Sequence, residues 1–228
     1  MLRSDKIALS LSDSTASARA ENVGQFAHTS LQPVKAYVQR PALCDRIRRQ
    51  LHGTASQGEG QYTTILVIWG LGGAGKTQLV LDYLRRYRNE YKATFWIQAG
   101  SRESIERDFI HMYHMLFNIR ISAGQEMVQA DDAVLAVKSW FSRGRDQWLL
   151  VVDGADAIEN EEDGDYIDLQ HFIPDSQFLQ VIVTTRSRTA KEISLQEGVE
   201  VGGMADSEAM GLFYKSSSDN TQCSGNGR

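Results

Sequence analysis

The sequence predicts an α/β fold in which helices cover both faces of a parallel β-sheet. Apolar runs of strand length alternate with segments whose apolar residues recur at helical spacing, a pattern typical of parallel sheets. A glycine-rich loop follows the first apolar run, residues 65–69, and leads directly into a helix. With 228 residues, 42% of them hydrophobic, the chain can form one or two domains with a substantial core.

The glycine-rich loop has the pattern G-x-x-x-x-G-K-T. Its residues are Gly70, Leu71, Gly72, Gly73, Ala74, Gly75, Lys76 and Thr77. Glycines let the backbone turn tightly round an anion, and the loop N–H groups and the following helix N-terminus attract phosphate. Lys76 is expected to bridge the β- and γ-phosphates of a nucleotide, and Thr77 to offer its hydroxyl to Mg²⁺. A glycine-rich turn that binds nothing is the alternative, and the strand–loop–helix setting argues against it.

Composition divides the chain into three parts. Residues 1–32 are rich in Ser, Ala and single charges, and we expect a flexible tail there. Residues 33–215 carry the apolar periodicity of a folded nucleotide-binding domain. Residues 216–228 are mostly polar or glycine, so we expect a disordered C-terminal tail.

Local signals predict the elements that follow the loop. Ser101 is expected to cap a helix over residues 104–117. Another helix is expected to be capped by Asp131 or Asp132 and to end at Gly144. Runs rich in β-branched and aromatic residues predict further strands at residues 93–99, 148–153, 178–186 and 199–201.

Two of these strands end on residues suited to nucleotide chemistry. The apolar strand at residues 148–152 closes on Asp153, the Walker B pattern, whose carboxylate is expected to hold Mg²⁺ through its water shell. A later strand ends at Arg186. Ligands bind at the carboxyl edge of parallel sheets, so Arg186 is placed to neutralise the γ-phosphate, the alternative being a surface arginine.

Charge and cysteine usage argue against several kinds of partner. The formal net charge is −5, which disfavours nucleic acid or an anionic membrane as the main partner. The two cysteines, Cys44 and Cys223, lie far apart and form neither a disulfide framework nor a zinc site. No signal peptide or membrane-spanning run is visible. We therefore expect a soluble protein of the cytoplasm.

Five stretches of the chain, in this order, resemble the NB-ARC nucleotide-binding domain of the STAND signal-transduction NTPases. That family includes plant resistance proteins, the apoptosome ATPases and fungal NOD-like receptors. The stretches read G-L-G-G-A-G-K-T, F-W-I-Q-A, L-L-V-V-D-G-A-D, V-I-V-T-T-R and M-A-D-S-E-A-M-G-L-F. The resemblance covers roughly residues 37–214, and the ordered set is more specific than any single motif.

The resemblance implies a three-layer P-loop NTPase with five parallel strands in the order 5-1-4-3-2. It implies ATP or ADP as ligand, with Mg²⁺. Val38 and Arg40 match the stretch that contacts adenine in the family. The phosphate-contacting positions that it implies are Gly70, Gly72, Gly73, Ala74, Gly75, Lys76, Thr77 and Gln78.

The chain departs from the family pattern in two ways. Asp153 is followed by Gly154, where the family often has a second acid that orients water, and Asp156 lies three residues on. Hydrolysis is therefore expected to be slow or absent. The family's helical and winged-helix parts, with their Gly-x-Pro and Met-His-Asp motifs, do not follow. The chain thus resembles the nucleotide-binding core of a larger receptor, or a shortened relative of one.

Four functions remain open from the sequence. The first is a nucleotide-dependent switch module whose self-association, or contact with helical and repeat domains of a larger receptor, follows its nucleotide state. The second is a P-loop enzyme of another class, a small-molecule kinase or ATPase, although no arginine-rich lid is visible. A nucleic-acid motor is disfavoured by the acidic balance. A remnant without independent activity is the fourth.

Overall fold

Helices cover both faces of one β-sheet, so the predicted three-layer α/β fold is confirmed. The computed structural model describes residues 26–28, 31, 33–34, 37–53, 62–119, 128–159, 162, 165–204, 206 and 208–212. The strands are β1 (Phe26–His28), β2 (Thr64–Trp69), β3 (Ala93–Gln98), β4 (Trp148–Asp153), β5 (Leu179–Thr185) and β6 (Val199–Glu200). The helices are α1 (Pro41–Gly53), α2 (Lys76–Tyr87), α3 (Arg102–Leu116), α4 (Ala130–Arg143) and α5 (Leu169–Phe172). Two 3₁₀ turns span Arg88–Glu90 and Thr189–Ile193, and residues 206 and 208–212 are also helical.

The six strands of the described residues pair in parallel, in the order β1-β3-β4-β5-β2-β6. Without β1, and counted from β2 as the first strand, this is the expected order 5-1-4-3-2. Strands β4, β5 and β2 are neighbours, and parallel strands share their carboxyl edge. The segments that follow these three strands therefore meet at one place, which positions the site.

Strand β1 lies inside the segment that was expected to be a flexible tail. Phe26 pairs with Ala93 and His28 with Phe95, so β1 adds a parallel strand beyond β3. A three-residue strand is too short to show the period-2 pattern that identifies strands in a sequence. The rest of residues 1–32, apart from Leu31, and all of residues 216–228 lie outside the described residues, so the proposed domain boundaries stay predictions.

One face of the sheet packs against α3 and α4. Phe141 of α4 is fully buried and meets Phe95 of β3 edge-to-face, with ring centroids 5.3 Å apart. Phe109 of α3 belongs to the same cluster. Alternate residues of each strand point to opposite faces, so the buried strands carry apolar residues on both sides. The other face packs against α1 and α2, through residues such as Ile47 and Tyr83.

The helix ends test the predicted caps. Ser101 accepts a hydrogen bond from the Ser104 N–H and forms a capping box, which confirms the predicted cap. Asp131 or Asp132 as a cap was wrong, because α4 begins at Ala130 and both acids lie in its first turn, where they still favour the positive helix end. Gly144 ends α4 as predicted. Within the described ranges, no helix has the length and apolar character needed to cross a bilayer.

Candidate nucleotide-binding site

The phosphate loop, residues 70–77, joins the carboxyl end of β2 to the start of α2. Gly73 and Gly75 have φ angles of +77° and +91°, a backbone conformation that glycine adopts without strain. Gly75 is also the N-cap of α2 and provides no side-chain hydrogen bond. The first-turn N–H groups of α2 therefore lack a side-chain cap and carry the partial positive charge that attracts anions.

Lys76 brings a positive charge into the loop. Its Nζ donates hydrogen bonds to the carbonyl oxygens of Gly70, at 2.8 Å, and Leu71, at 3.0 Å. Partial burial lowers the pKa of the Lys76 ammonium, nearby Asp156 raises it and Arg186 lowers it again. The ammonium thus bonds to the loop carbonyls and lies within electrostatic reach of charged groups that follow β4 and β5.

Asp153 ends β4 as a buried carboxylate with 7% exposure. It accepts hydrogen bonds from the Thr77 hydroxyl at 3.0 Å and the Thr184 hydroxyl at 2.6 Å. The carboxylate therefore links the phosphate loop to β5. A hydroxyl and a carboxylate are oxygen ligands of the kind that Mg²⁺ prefers, directly or through water, so this pair fits the predicted ion.

Arg186 follows β5 and lies beside the phosphate loop, as its position at the sheet edge predicts. A Cβ atom built on Gly72 would lie 3.7 Å from Arg186 Nε. The same Nε contacts Asp156 Oδ2 at 2.9 Å. The Arg186 backbone N–H donates to Asp156 Oδ1 at 2.7 Å. Both carboxylate oxygens of Asp156 are therefore engaged by Arg186 in this structure.

Gly154 occupies the position where the family often has a second acid. Its φ is +79°, in the left-handed region that residues with a Cβ rarely adopt. Its N–H donates to the Thr184 hydroxyl at 2.9 Å. The turn at Gly154 brings the chain back along the sheet edge towards Arg186. Glycine adopts this left-handed turn without strain.

We expect Gly154→Ala to lower the free energy of unfolding by about 1–2 kcal/mol, the usual cost of a left-handed residue with a Cβ. The added Cβ would meet nothing within 4 Å, so the cost is conformational. Gly100→Ala is the matched control, since its Cβ also meets nothing and its φ lies outside the left-handed region. Urea denaturation measures both variants. An equal effect of the two substitutions would contradict this account.

The predicted adenine-contacting residues lie on the segment before α1. The Arg40 guanidinium binds both oxygens of Glu208, with a shortest distance of 2.9 Å. It also donates to the carbonyl oxygens of Gly202 and Gly203 at 3.3 and 2.8 Å. Val38 lies nearby, since its Cγ2 would be 4.0 Å from a Cβ on Gly211. The guanidinium therefore fastens this segment to the residues that follow β6.

Gln78, the last predicted contact residue, also binds the segment before α1. Its Oε1 accepts a hydrogen bond from the Val34 N–H at 2.8 Å. Gln78 lies in the first turn of α2, directly after the phosphate loop. Gln78 and Arg40 thus link the segment before α1 both to the loop helix and to the C-terminal residues, whereas Ala74 and the loop glycines lie together between β2 and α2.

A family model described as the NB-ARC domain matches residues 42–223. This match covers most of the chain. The chain belongs to the NB-ARC family. It is therefore a P-loop NTPase domain, and nucleotide binding is the property that its family shares. The match agrees with the resemblance seen in the motifs.

Relatives of this NB-ARC chain include a much longer protein. A nucleotide-binding leucine-rich repeat (NLR)-like protein of Hyaloscypha variabilis is 28% identical over 164 residues. The alignment covers 66% of this chain and 16% of that relative. The chain thus spans about a sixth of the relative's length, and activities of the whole relative do not transfer directly.

Solved structures with a similar fold include Cdc6p and ORC proteins. Cdc6p of Pyrobaculum aerophilum superposes with a TM-score of 0.53 at 10% identity, over 84% of this chain and 52% of that one. The Aeropyrum pernix ORC1 protein, solved in complex with DNA, gives a TM-score of 0.54 at 17% identity, over 81% and 51%. At such identities the likeness shows the fold of the NB-ARC chain alone, and the DNA belongs to the other protein.

Three contacts of the NB-ARC site were missed by the motifs. The Thr184 hydroxyl orients Asp153, Asp156 binds Arg186, and Glu208 binds Arg40. The T-T-R run at the end of β5 was a signal for Thr184, because polar residues at a strand's carboxyl end face the site edge. No local signal pointed to the other two pairs, whose partners are 30 or more residues apart in the chain.

Proposed function

We propose that this chain is a switch module that binds ADP or ATP with Mg²⁺, hydrolyses ATP slowly or not at all, and changes its self-association with nucleotide state. One observation carries the proposal: Lys76, the Thr77–Asp153 pair and Arg186 meet at one edge of the sheet. Binding a triphosphate requires positive charges beside the phosphates and oxygen ligands for Mg²⁺. Lys76 and Arg186 supply the positive charges, and the Thr77–Asp153 pair supplies the oxygen ligands. The family membership supports the nucleotide part of the proposal.

Each charged group has a proposed role. Lys76 would exchange its carbonyl contacts for the β- and γ-phosphate oxygens. Thr77 and Asp153 would hold Mg²⁺, with Thr184 fixing the carboxylate. When bound, Mg²⁺ neutralises phosphate charge and orients the phosphate oxygens. Arg186 would bind the γ-phosphate and so distinguish ATP from ADP.

Slow hydrolysis follows from the groups around the strand that carries Asp153. Gly154 offers no side chain, and Asp156 Oδ1 accepts the Arg186 backbone N–H, a contact that does not depend on the guanidinium. A general base must be within hydrogen-bond reach of the attacking water and free to take its proton. Among the described residues, no carboxylate directly follows Asp153, and Asp156 keeps its bond to the Arg186 backbone N–H, so the module would hold its nucleotide rather than turn it over rapidly.

The adenine contact would come from the segment before α1. Arg40 already binds Glu208 and two carbonyl oxygens, so its guanidinium would shape the wall of the base site rather than donate to the base. Val38 and the Arg40 backbone would then frame the adenine. In this proposal Gln78 keeps the segment against α2 through Val34.

Signalling partners belong to the proposal as well. The similarity to an NLR-like protein favours a receptor context in the cytoplasm, with helical or repeat domains as further partners. The acidic net charge of −5 favours protein partners over nucleic acid or an anionic membrane. Nucleotide-dependent self-association is the output that this context favours.

Light scattering at matched concentration tests the switch. The purified chain with Mg²⁺ is measured with ADP and with a non-hydrolysable ATP analogue. We expect a larger assembly, or a clearly tighter association, with the analogue. ATP turnover measured in parallel is expected to be slow compared with the roughly 10 s⁻¹ typical of enzymes. Identical assembly states with both nucleotides, or rapid turnover, would contradict the proposed switch.

A further inference from the structure

Asp156 holds Arg186 in two separate ways. The Arg186 backbone N–H donates to Oδ1 at 2.7 Å, and the side-chain Nε contacts Oδ2 at 2.9 Å. The backbone contact does not depend on where the guanidinium points. The carboxylate therefore stays in place when the guanidinium leaves it, and the Nε contact is the one that can be exchanged.

The guanidinium lies where the phosphates of a nucleotide bound in the phosphate loop would compete with Asp156 for it. Its Nε and Cζ would be 3.7 and 3.8 Å from a Cβ on Gly72, in the middle of the phosphate loop. Asp156 and Arg186 both act electrostatically on the Lys76 ammonium inside that loop. The Asp156–Arg186 pair is thus adjacent to the phosphate positions and not merely on the same edge of the sheet.

The pair is weak enough to be broken. The side chains of Arg186 and Asp156 are 72% and 37% exposed. Ion pairs that exposed contribute little to stability, because water and salt screen them. A γ-phosphate carries more charge than one carboxylate and sits in a loop that already attracts anions, so it can displace Asp156 from the guanidinium.

We propose that Asp156 competes with the γ-phosphate for Arg186 and thereby sets how strongly the site prefers ATP to ADP. The inference rests on the proposed nucleotide function of the loop. ADP leaves the Asp156–Arg186 pair intact. ATP binding must break this pair. Only ATP binding therefore includes the free-energy cost of separating Asp156 from the Arg186 guanidinium. Asp156 is therefore a specificity-determining residue that lowers the affinity for ATP relative to ADP and so favours the ADP-bound state.

Asp156→Asn tests the competition. The amide oxygen can still accept the Arg186 backbone N–H, while the negative charge is lost. Affinities for ADP and for a non-hydrolysable ATP analogue are measured by isothermal titration calorimetry in Mg²⁺. We expect the ATP-to-ADP affinity ratio to rise about two- to fivefold, which is the contribution of an exposed ion pair.

The same substitution in an Arg186→Gln background separates two mechanisms. Competition for Arg186 predicts that Asp156→Asn no longer changes the ratio there. Direct repulsion between Asp156 and the γ-phosphate predicts the same rise in both backgrounds, which would overturn the proposal. An unchanged ratio in the parent background would overturn it as well. If the parent chain binds neither nucleotide, the proposed nucleotide function itself fails.

Glu90→Gln is the matched control for loss of a carboxylate. Glu90 is 28% exposed and pairs with Arg48 at 2.9 Å, so it resembles Asp156 in exposure and partner. It precedes β3, whereas Asp156 follows β4, so the two acids lie at opposite edges of a parallel sheet. The ATP-to-ADP ratio of Glu90→Gln is expected to match the parent, and a rise equal to that of Asp156→Asn would assign the effect to net charge and overturn the proposal.

Discussion

Lys76→Ala is expected to weaken the binding of both ADP and ATP by about ten- to a hundredfold. Its Nζ lies 2.8–3.0 Å from two carbonyl oxygens of the phosphate loop, so it is positioned where phosphate oxygens would enter. Losing a charge-assisted hydrogen bond costs about 1.5–3 kcal/mol. The first measurement is direct: the purified chain is denatured and the released nucleotide is quantified by anion-exchange chromatography, followed by titration with added ADP and ATP.

Lys138→Ala is a close control for this substitution. Lys138 Nζ also donates to two backbone carbonyls, Gln170 at 3.1 Å and His171 at 2.8 Å. Burial lowers the pKa of Lys138 as it does that of Lys76. Lys138 lies on α4, however, and not in the phosphate loop. Equal nucleotide content in Lys76→Ala and the parent would reject the loop assignment, and equal loss in both lysine variants would trace the loss to folding.

Asp153→Asn is expected to reduce the Mg²⁺ affinity of the nucleotide complex by about ten- to a hundredfold, the usual effect of losing a group that orients metal ligands. Nucleotide affinity in EDTA should change much less, because the loop and Lys76 are intact. The substitution removes the charge of a carboxylate that is 7% exposed and bonded to Thr77 and Thr184. Titration of MgCl₂ against a fluorescent ATP analogue separates the two affinities.

Two further variants serve as a control and as a second test of the role of Asp153 in Mg²⁺ binding. Asp132→Asn, in the exposed first turn of α4, should leave the Mg²⁺ titration as in the parent. Thr184→Val removes the hydroxyl that holds Asp153 at 2.6 Å and should weaken Mg²⁺ in the same direction but less. An Asp153→Asn variant whose ATP binding still responds to Mg²⁺ as the parent does would show that this carboxylate does not hold the ion.

The strand–loop–helix unit that contains residues 70–77 was predictable because its determinants are contiguous. Glycine positions, the Lys-Thr pair and the flanking strand and helix all lie within about one supersecondary unit, where local sequence carries the signal. The sheet order 5-1-4-3-2 also agreed, but only the family resemblance supplied it. Strand β1 was missed, because three residues carry no detectable period and its pairing depends on the free edge of β3.

The sequence by itself determined which residues are candidates for nucleotide chemistry: Lys76 and Thr77 in a glycine loop, Asp153 and Arg186 at strand ends. Only the tertiary structure decided how these residues are engaged. It pairs Asp156 with Arg186, 30 residues on, and Arg40 with Glu208, 168 residues on. The physical reason is that parallel strands joined by long crossovers bring distant carboxyl ends to one edge, and the local pattern of a strand does not specify which loop will lie beside it there.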